Sequence, residues 1–155
     1  GLEDGTPATG TITIASVNDP SALAPDTNMV AEETVATGNV LGNDSDVDNL
    51  LSVASFSVAG ISGSFAAGAS ASISGVGTLT LGSDGNYNFT PVANWNGSVP
   101  QVTYVTNTGS SSTLNITVTP VDDASALVAD SSTVAEDNPA TGNVLGNDSD
   151  VDNTL

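Results

Sequence analysis

The sequence predicts an all-β protein: an immunoglobulin-like β-sandwich of about seven strands, arranged as tandem repeats of 104 residues. Three observations carry this reading. Apolar residues recur at period two, as in half-buried strands. Turn residues separate those runs. A long internal duplication has a period far above the about 20–45 residues of solenoid units, which points to an array of separate sandwiches.

The duplication sets the frame. Residues 38–49 read GNVLGNDSDVDN and residues 142–153 read the same, an offset of 104. Over residues 16–51 against 120–155, 24 of 36 positions are identical. TITIA at 11–15 falls opposite NITVT at 115–119. The chain thus divides into 1–16, the C-terminal strand of a preceding repeat; 17–121, a complete Ig-like repeat; and 122–155, the N-terminal part of a following one. All six aromatics (Phe56, Phe65, Tyr87, Phe89, Trp95, Tyr104) lie in the complete copy, which alone has the means to close a core.

Within that copy the first strand region spans residues 24–41. Alternation then marks Leu51 and Val53, Leu79 and Leu81, Tyr87 and Phe89, Val102 and Tyr104, and Leu114, Ile116 and Val118. Gly82-Ser83-Asp84-Gly85-Asn86 sits between two such runs and reads as a hairpin turn, as does Asn107-Thr108-Gly109. No stretch carries a 3.6-residue apolar stripe. Short strands in this number over one period fit an immunoglobulin-like sandwich. An odd strand count sends the termini to opposite ends, so copies join end to end into a rod.

Composition narrows function. The 155 residues hold 18 Asp plus Glu and no Lys, Arg or His, for a formal charge of −18. No side chain can neutralise a phosphate, which excludes nucleic-acid binding through a basic surface and attraction to anionic lipid. Without His or Cys, zinc sites, thiolate nucleophiles and Ser–His–Asp triads cannot be assembled, and no disulfide stiffens the fold. No apolar run approaches the ~18 residues needed to span a bilayer. The composition reads as a folded extracellular chain.

The acids are local. Asp19, Asp26, Glu32, Glu33, Asp44, Asp46 and Asp48 crowd the opening of the complete copy, leaving only Asp84 beyond it. The next opening repeats the pattern with Asp122, Asp123, Asp130, Glu136, Asp137, Asp148, Asp150 and Asp152. In extended backbone Asp44, Asp46 and Asp48 point one way, about 6.6 Å apart. Each neighbouring pair then repels by roughly 0.6 kcal/mol in water and about 2.5 kcal/mol at an effective dielectric of 20. A solvated acidic face is the ordinary outcome for such a cluster, but this chain has no balancing base. Oxygen-only ligands select a hard cation, and calcium accepts several carboxylates in irregular geometry. An EF-hand is excluded, since counting from Asp44 the loop lacks its glycine and closing glutamate.

Immunoglobulin topology puts the acidic loop 42–50 at the same end as the C-terminus of its domain. Asp44, Asp46 and Asp48 are therefore expected to share Ca2+ with Asp122 and Asp123 of the next linker. Asn18 and Asp19 play that linker role toward the preceding copy, with Asp148, Asp150 and Asp152 repeating the loop. Asp26 and Glu32, and their counterparts Asp130 and Glu136, are candidates for sites within one repeat. Bridging ions would fix the angle between neighbours.

The junctions VNDPSAL and VDDASAL, the run AEDNPATGNVLGNDSDVDN, the hairpin GSDGNYNFTP, and NWNG followed by VTYVT resemble the cadherin-like, immunoglobulin-like tandem repeats of giant bacterial adhesins exported by type 1 secretion, the RTX adhesins. The resemblance covers essentially the whole chain. The period and the absence of Lys and Arg are most similar to extenders of ice-binding adhesins. It implies a calcium-rigidified extender on the bacterial cell surface, whose partners are neighbouring repeats of the same chain and whose ligand is bound elsewhere. Many such repeats carry Asp after NWNG and in the following turn, whereas SVPQ and NTGSSS stand here.

Other readings are weaker. Trp95 in NWNG offers a sugar-stacking surface, the basis of an alternative carbohydrate- or protein-binding adhesin module, yet a lone Trp among strand aromatics reads as core. The threonines of TITI, TLTL and TVT alternate as in any half-buried strand. Paired carboxylates serve glycoside hydrolysis, but these lie in a repeated loop with few aromatics to build a cleft, so the chain reads as no enzyme.

Overall fold

The computed structural model describes residues 5, 7 and 9–155. Ten strands form two facing sheets, and no helix is present among the described residues. The strands are β1 (Asp26–Ala31), β2 (Ala36–Asn39), β3 (Val53–Val58), β4 (Phe65–Ala66), β5 (Ser70–Ile73), β6 (Gly77–Leu81), β7 (Asn86–Pro91), β8 (Gly97–Ser98), β9 (Val102–Thr106) and β10 (Ser111–Thr119). One sheet runs β1-β10-β9-β3-β4 with β8 also on β10, and the other runs β2-β7-β6-β5. The count exceeds seven because β4 and β8 are two-residue pieces and the first strand region is split into β1 and β2.

Alternation builds the core. Leu79, Leu81, Phe89, Val102, Tyr104 and Leu114 are all fully buried between the sheets, with Tyr87, Ile116 and Val118 nearly so. Phe56 and Phe65 stack with ring centroids 5.3 Å apart. Trp95 is half-buried and packs against this core. The expected hairpin joins β6 to β7, with Gly85 at φ +83° and Asp84 Oδ1 accepting from Asn86 N at 3.1 Å. Gly109, at φ +85°, turns β9 into β10.

The split of the first strand region sets the polarity of the domain. β1 pairs parallel with β10, from Asp26 opposite Leu114 to Ala31 opposite Thr119. Both strands therefore end at one pole, where Glu32 N donates to Thr119 O at 2.8 Å. The chain turns there through Glu32 and Glu33, crosses to the other sheet, and runs back as β2, antiparallel to β7. The acidic loop that follows β2 lies at the entry pole, where the complete copy begins.

Every buried core residue falls between Ala36 and Val118. Residues 11–15, expected as a strand of a preceding copy, join no sheet, and Ile12 and Ile14 are exposed; counterparts of β1 and β9 to pair with them are not in the sequence. The rest of that expected strand, at 1–4, 6 and 8, lies outside the described residues. Residues 122–155 form one isolated bridge, Ala126 with Ser149, matching Ala22 with Ser45.

Candidate metal centre

The turn after β1 builds one half of the centre. Glu33 adopts φ 63°, a left-handed conformation that a residue with a Cβ enters at a cost. This turn points Glu32 inward, leaving it 4% exposed. Glu32 Oε1 accepts from Val121 N at 2.5 Å, fastening the linker after β10. Glu32 Oε2 is buried with no hydrogen-bond partner. A carboxylate oxygen taken from water without a partner is costly and calls for a counter-charge or donor.

Asn94, in the turn after β7, also takes a left-handed conformation, at φ 57°. Its amide faces Glu33 Oε1 at 3.0 Å and Asp123 Oδ2 at 3.2 Å. Two arrangements satisfy that geometry. With nitrogen inward, the amide donates to both carboxylates. With oxygen inward, three oxygens meet, and a cation must lie among them. Neighbouring oxygens of a calcium shell, each about 2.3–2.6 Å from the ion, sit about 3 Å apart. The donor set is all oxygen, as calcium requires, and the orphaned Glu32 Oε2 belongs to the same turn. Among the described residues no three carboxylates converge tightly enough to hold a metal by themselves. An ion here would draw on Glu33 and Asp123 together with the Asn94 amide oxygen, next to the turn that buries Glu32.

The acidic loop is placed differently from expectation. Asp44, Asp46 and Asp48 do not face Asp122 and Asp123; they staple residues 19–24 of their own copy. Asp48 Oδ2 accepts from Asp19 N at 2.6 Å, Asp46 Oδ2 from the Ser21 hydroxyl at 2.6 Å, and Asp44 Oδ1 from Ala24 N at 2.8 Å. The cause is the turn at Glu32–Glu33, which sends β2 back to the entry pole. Asp46 Oδ1 also accepts from Asp48 N and Asn49 N, at 2.9 and 2.7 Å. The Ser21 hydroxyl, with those N–H groups, holds the Asp46 carboxyl below the ordinary range. Donors thus relieve part of the repulsion that the spacing creates.

The second loop repeats this. Asp152 Oδ2 accepts from Asp123 N at 2.6 Å, Asp150 Oδ2 from the Ser125 hydroxyl at 2.5 Å, and Asp148 Oδ1 from Val128 N at 2.7 Å. Ser125 likewise holds Asp150 below the ordinary range. Asn18 Oδ1 accepts from Asn49 at 2.8 Å, and Asp122 Oδ1 from Asn153 at 3.0 Å.

Asp26 lies at the entry pole beside Asp44, around the Tyr104 hydroxyl. Desolvation and the Asp44 charge push its carboxyl above the ordinary range. Asp130 and Glu136, counterparts of Asp26 and Glu32, are exposed, with no copy of β10 packed on them. Glu32 was expected in a site within one repeat; its contact is with Val121, the last residue of the same repeat, at the exit pole. Glu33 and Asn94 were not singled out. The signal available for Asn94 was its place in NWNG, where a short polar side chain tolerates a left-handed turn.

Two antiparallel-rich sheets, with acids at the entry loop and around the linker that leaves β10, define a tandem immunoglobulin-like module. Residues 18–120 match the family described as bacterial cadherin-like domain, and the chain belongs to that family. No curated protein matches the chain. No helix among the described residues is long and apolar enough to cross a membrane.

Proposed function

We propose that this chain is a calcium-stabilised structural extender segment of a bacterial surface adhesin. Membership in the bacterial cadherin-like family supports a structural, extracellular, non-enzymatic repeat. The resemblance to RTX adhesins supports its place in an extender. The observation that carries the calcium reading is the Asn94 amide lying within 3.2 Å of the carboxylates of Asp123 and Glu33, the latter next in the chain to Glu32, whose Oε2 is buried without a partner. Those groups come from the exit pole of one copy and the start of the next, so an ion held there would couple neighbours. The carbohydrate-binding alternative loses its main support, because Trp95 packs against the core.

The ion would supply positive charge to a chain that has none of its own in side chains. The protein's part is to aim Glu32 and Glu33 from a strained turn and to bring Asp123 across the linker. At the weak affinity of extracellular modules, about 10⁻⁴ to 10⁻³ M, such a site fills outside the cell and stays empty in the cytosol. The test is small-angle scattering of two complete repeats in tandem. Calcium is expected to narrow the distribution of inter-repeat distances toward an extended rod. An unchanged distribution in calcium and chelator rejects the extender mechanism.

A further inference from the structure

Asp123 is held from two directions. Its N–H donates to Asp152 Oδ2 at 2.6 Å, within its own copy, while its Oδ2 lies 3.2 Å from the Asn94 amide of the preceding copy. Just before it in the chain, Val121 N is tied back to Glu32, and Asp122 Oδ1 is tied forward to Asn153. The three linker residues are thus fastened to the two copies they join, Val121 to the first, Asp122 to the second and Asp123 to both. We propose that Asp152 is a positioning residue for the junction, acting as a hydrogen-bond acceptor that aims the Asp123 carboxylate at Glu33 and Asn94, and is not itself a metal ligand. This rests on the calcium reading of that centre.

The entry pole of the complete copy supports it independently. Asp48 Oδ2 accepts from Asp19 N at the same 2.6 Å, although no counterpart of Glu33 or Asn94 stands before Asp19 in the sequence. The bond therefore forms from residues of one copy alone. Each copy presents its linker Asp already oriented, which lowers the ordering cost of docking. The three loop carboxylates fan out onto Asp19, Ser21 and Ala24, and onto Asp123, Ser125 and Val128, so they do not converge on a point. Their spacing serves three separate donors along an extended segment.

The test is a calcium titration of the full chain, followed site by site through the Asn94 side-chain and Asp123 backbone amide resonances. Removal of an outer-shell partner of a metal ligand weakens binding about 10-fold or more, so Asp152→Ala is expected to shift the junction by about that factor. Asp152→Asn keeps an acceptor oxygen and is expected to remain within about twofold of wild type, since the hydrogen bond and not the charge is what positions Asp123. Asp48→Ala and Asp148→Ala, which touch other segments, are expected to leave the junction unchanged. In chelator, the Asp123 amide proton is expected to be protected from exchange in wild type and Asp152→Asn, and unprotected in Asp152→Ala.

Wild-type affinity in Asp152→Ala overturns the proposal. An equal loss in Asp152→Asn and Asp152→Ala makes Asp152 a ligand and also overturns it. An equal loss in Asp148→Ala assigns the effect to loop integrity and overturns it as well. Absence of binding by the wild type rejects the calcium reading itself, and the proposal with it.

Discussion

The hydroxyl of Tyr104, a fully buried residue of β9, donates to Asp44 Oδ2 at 2.6 Å. This bond ties the core to the acidic loop. Val40 O and Asp26 Oδ2 lie 3.1 and 3.4 Å from the same hydroxyl, so one proton serves three acceptors. Burial and the adjacent Asp44 push the phenol well above its ordinary range.

Tyr104→Phe keeps the ring and removes the donor. A hydrogen bond to a charged group contributes about 1.5–3 kcal/mol, and its loss here leaves Asp44 and Asp26 facing each other without a proton between them. Stability in chelator is expected to fall by about that amount in a urea titration. The junction's calcium affinity is expected to stay unchanged, because this cluster lies at the opposite pole.

Glu32→Gln separates the two states of the centre. It removes the charge of a carboxylate whose Oε2 is buried without a partner, so metal-free protein is expected to melt no lower than wild type. Loss of the Glu32 charge next to the proposed site is expected to weaken calcium at least about tenfold, or about 1.4 kcal/mol. Melts in chelator and in calcium measure both.

Glu33→Gly relieves the left-handed turn at φ 63°. Metal-free stability is expected to rise by about 1 kcal/mol, a strain relief partly offset by the larger entropy of the unfolded glycine. The calcium-dependent gain is expected to shrink. Opposite signs in the two conditions would mark a residue kept for binding and not for folding.

Acidification acts in two directions. Desolvation and Asp44 raise Asp26 from 3.8, so the native state binds its proton more tightly than the unfolded chain does. That contribution is full below 3.8 and is lost as pH rises through the folded value. Asp46 and Asp150 are lowered from 3.8, chiefly by the hydroxyls of Ser21 and Ser125, so their contribution holds above 3.8 and is lost as pH falls through the folded values. Asp26→Asn is expected to raise metal-free stability near neutral pH and to remove the gain seen on lowering pH toward 4, checked by urea melts across that range.

The period-two pattern was legible wherever strands are regular: Leu79 and Leu81, Tyr87 and Phe89, and Leu114 through Val118 all point inward. It faded at β3, where a register shift between Val53 and Ser55 breaks the alternation and hides Phe56 and Val58. β5 escaped because its inward Ala71 and Ile73 stand among serines. The larger error concerned topology. Glu32-Glu33-Thr34 holds no Gly, Pro or Asn, yet it reverses the chain and splits the first strand region in two. That hidden turn moved the acidic loop to the other pole. The duplication made the loop acids conspicuous, while Glu33 and Asn94, distant in sequence, meet only through the fold.

The measurement that bears most directly on the central claim is a thermal melt of the full chain in excess chelator, then in stepped calcium, with magnesium at equal ionic strength. At a hundred times its dissociation constant, one site contributes about 2.7 kcal/mol, or roughly 10–20 °C for a domain of this size. A calcium-specific rise of that order, cut by about half or more in Glu32→Gln, is the expected result. A rise no greater than magnesium gives would contradict it, and would leave the acids as hydrogen-bonded surface without a metal.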